Sequence, residues 1–223
     1  MAHAFFLGVD VAPTDEDDSF GVTHALFEKS LDGNDDEATY RLDHIQHHTD
    51  VASADDFADH LQGLVAEQPY IGRTSLIINR NTAFGQALID ALEDRGMDPV
   101  AATVTEGAGV AAGETDEIGV HLGGVDAVRT IADLHWEGKV AIEGHTTEVA
   151  SRLARDVQAL AEQLDEAEGD IEALGASTSG PSFDAEATHV TSAALAVWFG
   201  TERSFDPSQH LKESPQTDSV GGT

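Results

Sequence analysis

The chain has 223 residues and no cysteine, which excludes a disulfide framework and a thiolate metal site. Lysine occurs only at Lys29, Lys139 and Lys212, and Lys plus Arg total 11. A basic patch able to track nucleic-acid phosphates is therefore not expected. No run approaches the roughly 18 uninterrupted apolar residues of a membrane span. Met1-Ala2-His3-Ala4-Phe5 lacks the basic start and long apolar stretch of a secretory leader, so none is expected.

Acid is abundant. Asp plus Glu total 42, giving a formal charge of −31. The acids are spread through every segment, as in Asp15-Glu16-Asp17-Asp18, Asp35-Asp36-Glu37 and Asp55-Asp56. Hydrophobic residues make up 40%, enough for a sizeable core, so the acidity does not imply general disorder. Self-repulsion on this scale destabilises a compact state in dilute salt. At molar salt the Debye length falls to about 3 Å, and the repulsion is screened. The composition therefore predicts a halophilic source, a haloarchaeon or one of its viruses.

Hydrophobic periodicity predicts an α/β order. Phe5–Val11 is a short apolar run around Asp10 and reads as a central strand. Residues 20–28 and 38–47 alternate on either side of Gly33-Asn34 and read as a hairpin, with Tyr40, Leu42 and His44 assigned to one face. A helix from Asp55 places Phe57, Leu61, Leu64 and Val65 on one side. Strand 75–79, helix 84–95 closed by Gly96, and strand 99–105 form a right-handed crossover unit. Residues 106–124 are rich in Gly and Ala and read as a loop or a short extra hairpin. A helix over 125–136, a short strand over 139–142, a long helix over 146–166 and a last helix over 184–200 follow. Residues 201–223 read as a tail or docking arm, anchored through Phe205 and Leu211.

This order is that of the ribonuclease-H-like fold: a mixed sheet of three antiparallel strands and then parallel strands, flanked by helices. Within it the chain resembles the nuclease domain of the large terminase subunit of tailed viruses. Three segments carry the likeness: Gly8-Val9-Asp10-Val11-Ala12 with Ser19 downstream, residues 76–90 (LIINRNTAFGQALID), and residues 191–198 (TSAALAVW). It covers most of residues 5–200. The ATPase phosphate-loop motif of the packaging motor does not occur in these 223 residues.

The resemblance implies two Mg²⁺ or Mn²⁺ ions held about 3.5–4 Å apart by three or four carboxylates. Asp10 keeps the first-strand acid. The second acid falls on Asn79, or on Arg80 or Asn81 if the gap shifts. The acidic pair opening the last helix falls on Ala187 and Thr188, with Asp184 and Glu186 nearby but out of register. One acid of four does not hold two metals. The expected function is thus a non-enzymatic virion or DNA-packaging component with an inactivated nuclease site and no cofactor. Its expected partners are other virion or packaging proteins, or copies of itself, and its expected location is the particle or the host cytoplasm. The alternative is an active stand-alone metal-dependent DNA nuclease or resolvase using Asp10 with Asp184, Glu186 or an acid from 114–117. His44, His47 and His48 read as exposed strand histidines rather than metal ligands, and Gly119–Gly124 has no phosphate-loop spacing.

The charge generates a direct prediction. The melting temperature should rise steadily as KCl is raised from low to molar concentration, measured by circular dichroism. A flat profile would reject the halophilic reading.

Overall fold

A computed structural model describes residues 2–14, 19–31, 38–105, 115–116, 119–142, 147–166 and 188–202. Three long strands open it: β1 (Ala2–Pro13), β2 (Phe20–Leu31) and β3 (Ala38–Val51). Then come α1 (Ala54–Ala66), β4 (Thr74–Asn79), α2 (Ala83–Asp94) and β5 (Val100–Thr105). The remaining elements are β6 (Thr115–Asp116), β7 (Gly119–Gly123), α3 (Gly124–Trp136), β8 (Val140–Ala141), α4 (Glu148–Glu166) and α5 (Thr188–Glu202).

All eight strands join one sheet in the order β6-β7-β5-β4-β1-β2-β3-β8. β1–β2 and β2–β3 are antiparallel, whereas β1–β4 and β4–β5 are parallel. This is the ribonuclease-H-like mixed sheet expected from the sequence, with β1 central. The Gly/Ala-rich segment supplies the short hairpin β6–β7, and β7 extends the parallel half beside β5.

Strand alternation divides the interior into two cores. Phe5, Leu7, Val9 and Val11 face α1 and α2, where Phe57, Leu61, Leu88 and Leu92 are buried. Ala4 and Phe6 face the other way, toward α3, α4 and α5. Local chemistry sets the helix starts: Ser53 caps α1 by accepting from the Asp56 N–H, and Thr82 caps α2 by accepting from the Gly85 N–H. Gly96, at φ 75°, closes α2 in the left-handed conformation its sequence position suggests.

α5 is buried on all sides from Thr188 to Gly200, apolar from Ala193 to Phe199 and with Thr188, His189, Thr191 and Ser192 buried in its first turns. The sheet covers one side, and α3 and α4 cover others, α4 through Leu153, Val157 and Leu160. Its approach to β1 is set at Gly8, where an added Cβ would lie 2.0 Å from the Ser192 carbonyl oxygen and 2.9 Å from the Ala196 nitrogen. At the far end, buried Lys29 donates from Nζ to the Gly200 carbonyl at 2.7 Å, placing a cation where the helix dipole favours one.

One expectation for the hairpin changes. A bulge between Leu26 and Phe27 leaves Phe27 opposite Leu42 but Leu26 opposite His44. The extra residue, Asp43, reverses the parity of the strand from His44 to His48. Tyr40, Leu42 and Ile45 therefore share one core, while His44 turns to the opposite face.

Gly8→Ala should destabilise the protein by about 3 kcal/mol or more, because the α5 backbone at Ser192 and Ala196 blocks the new methyl. Gly63→Ala, on the exposed side of α1 with nothing within 4 Å, should instead stabilise by about 0.5–1 kcal/mol. Chemical denaturation of the two variants checks this, and comparable effects would refute the close α5–β1 approach.

Candidate functional site

Asp10 lies near the carboxyl end of β1, on the sheet face that α5 covers, and is buried. Asn79, the last residue of β4, reaches it: Asn79 Nδ2 donates to Asp10 Oδ1 at 2.7 Å. The amide is held in that orientation because its Oδ1 accepts from the Asn81 N–H at 3.1 Å. The Val11 N–H and the Thr191 hydroxyl also donate to Asp10. Burial is the largest influence on the carboxyl and raises its pKa from 3.8 to about 6, against the lowering effect of these donors.

This donor set does not fit a pair of hard divalent cations. The site has one carboxylate where three or four are needed, and Asn79 points an N–H at it where a cation requires an oxygen. Arg80 and Asn81 do not change this. Arg80 Nε donates to Thr103 Oγ1 at 2.7 Å, and Asn81 bonds the Val104 backbone. Among the described residues, Asp10 belongs to no group of three potential metal-binding side chains. Thr188 is in place at the start of α5 and buried. Asp184, Glu186, Ala187, Phe205 and Leu211 lie outside the described residues, as does the acid run at 15–18.

A cavity of about 430 Å³ opens beside this point, lined by Thr23, His47, Glu148, Val149, Arg152, Thr188 and His189. Thr23 is the strand partner of Asp10. Its Oγ1 lies 2.8 Å from His47 Nδ1 and 2.7 Å from Thr188 Oγ1, so both buried hydroxyls are already engaged. His189 Nε2 lies 2.7 Å from Asp156 Oδ2, joining α5 to α4, and Arg152 Nε lies 3.7 Å from the same oxygen. Burial, followed by His189 and Arg152, lowers the pKa of His47. The arrangement is a hydrogen-bonded floor under a pocket of mixed charge.

Comparison with protein-family models, with curated proteins and with solved structures finds no match to this chain.

The sequence identified Asp10, Asn79 and Thr188, and the structure brings Asp10 and Asn79 into contact. It joins Thr188 to the group through Thr23. It also separates the three strand histidines. His47 is exposed and turns to the cavity, whereas His44 and His48 are half-buried on the opposite face, against His24. The sequence reading missed His24, His60 and the His189–Asp156 pair. A signal for His24 was present: it sits at an inward position between Val22 and Leu26 in β2.

The raised pKa of Asp10 carries a pH dependence. The folded state binds this proton more tightly than the unfolded chain, so Asp10 costs nothing below about pH 4. Its cost grows as pH rises from about 4 to about 6 and is constant above that. Asp10→Asn should therefore gain up to about 3 kcal/mol on the parent protein between acidic and neutral pH. Urea titrations across this range check it, and a gap independent of pH would refute the raised pKa.

Proposed function

We propose that this chain is a non-enzymatic virion or DNA-packaging component of a haloarchaeal tailed virus, built on an inactivated terminase-nuclease-like fold. The observation that carries this reading is the Asn79-to-Asp10 hydrogen bond. On the parallel half of the sheet, an amide donor stands where the resemblance requires a second carboxylate. A buried carboxylate whose oxygens are taken up by three hydrogen-bond donors is a structural element rather than a ligand awaiting a cation.

Two further observations support it. The ribonuclease-H-like sheet retains its strand order, so the fold outlives the site. The charge of −31 suits a protein surface working in concentrated salt and opposes direct binding to DNA phosphates. The proposed partners are therefore other particle or packaging proteins, or further copies of the chain, in the virion or the host cytoplasm. No described helix is long and apolar enough to cross a membrane.

The test is a cleavage assay in molar KCl with Mn²⁺ on supercoiled and linear DNA. The expected outcome is no cleavage by the parent protein and none by Asp10→Ala. Metal-dependent cutting that Asp10→Ala abolishes would overturn the proposal and restore the nuclease reading, with Asp184 or Glu186 as the first residues to mutate next. A protein inventory of purified particles tests the virion assignment separately.

A further inference from the structure

On the sheet face opposite Asp10, three histidines from three elements converge. His24 comes from the middle of β2, His48 from β3 and His60 from α1. One ring nitrogen of each lies within 4.8 Å of the others. His24 is completely buried, and among the described residues neither of its ring nitrogens has a hydrogen-bond partner; the same is true of His48 Nε2. A neutral imidazole has one donor and one acceptor. Leaving such groups buried and unmatched costs on the order of 1–3 kcal/mol each. A fully buried histidine aimed at two others, with nothing to bond, calls for a ligand.

We propose that His24, His48 and His60 form a binding site for a late first-row divalent cation, with Zn²⁺ the best fit. Three imidazoles with no thiolate suit Zn²⁺, Co²⁺, Ni²⁺ or Cu²⁺ and do not suit Mg²⁺, which requires oxygen ligands. Three protein ligands leave a fourth position for solvent or a small anion.

The surroundings match this assignment. Burial, and then His44, His48 and His60, push the pKa of His24 down to about 2. His48 is shifted the same way by burial, His60, His47 and His44. Both rings are thus neutral near neutral pH, with lone pairs available to a metal. The His44 ring stacks on His24 with centroids 5.1 Å apart, and the Phe57 ring lies edge-on to His48 at 5.1 Å. These contacts wall the pocket with aromatic surface and limit ring rotation. Zn–N bonds of about 2.0–2.1 Å in a tetrahedron place the nitrogens roughly 3.3–3.4 Å apart. The rings must therefore close in by up to about 1.5 Å. His60 is exposed on α1, its ring already 5.0 Å from that of His48, while His24 is fully buried. Binding would clamp α1 onto the β2–β3 hairpin.

The acidic surface sets the conditions of the test. The intact chain, stripped with chelator, is titrated with Zn²⁺ and with Co²⁺ in molar KCl containing excess Mg²⁺, which occupies exposed carboxylates. The expected result is one equivalent bound, intense visible absorption from four-coordinate Co²⁺, and a melting temperature raised by several degrees at saturating Zn²⁺. His60→Gln and His48→Gln should each weaken binding at least about tenfold and remove the Co²⁺ band. Neither depends on replacing the fully buried His24. His47→Gln, one residue along β3 but facing the other side of the sheet, should leave both unchanged. Failure to bind one equivalent, or binding and a Co²⁺ band that survive His60→Gln and His48→Gln, would overturn the proposal. Equal loss in His47→Gln would also overturn it, since that would mark unspecific surface coordination.

Discussion

The closeness of α5 to β1 is the constraint on which the rest of the molecule depends. Gly8 is the residue that permits it, since any side chain there would meet the α5 backbone. With α5 seated, Thr191 reaches Asp10, Thr188 reaches Thr23, and His189 reaches Asp156 on α4. Lys29 then meets the last turn of the helix at Gly200, where an added Cβ would lie 2.7 Å from the Tyr40 ring. A helix buried on every side from Thr188 to Gly200 has no solvent face. It must be enclosed, and α3 and α4 complete the enclosure.

That enclosure determines what becomes of Asp10. A carboxylate covered by a helix and taken out of water is costly unless it is matched by donors. Asn79, the Val11 N–H and Thr191 offset part of the cost, and the remainder appears as the raised pKa. An aspartate at position 79 would place two carboxylates side by side, where their repulsion would favour holding one of them protonated. The amide, isosteric and without charge, replaces that repulsion with a hydrogen bond.

The opposite face of the sheet shows the reverse condition. His24 is as deeply buried as its apolar neighbours Val22 and Leu26, yet its polar atoms have no hydrogen-bond partners among the described residues. On the α5 face polar groups satisfy one another; on the α1 face they converge without doing so. Among the described residues, the polar groups are thus matched around Asp10 and unmatched where periodicity alone predicts plain core.

The sequence by itself determined the three antiparallel strands and the parallel crossover unit that follows them, because alternation, the Gly33-Asn34 turn and the Gly96 stop are local signals. It also determined that Asp10 lacks carboxylate company at position 79, since an amide is an amide in any fold. It could not determine the parity of β3, because one bulged residue, Asp43, moves His44 and His48 to the other face without leaving a mark in the composition. Nor could it bring His24, His48 and His60 together. They lie on a strand, its hairpin partner and the following helix, and their convergence depends on the bulge, the hairpin register and the packing angle of α1 jointly. Those are tertiary quantities, settled by how the two cores close, and no spacing along the chain encodes them.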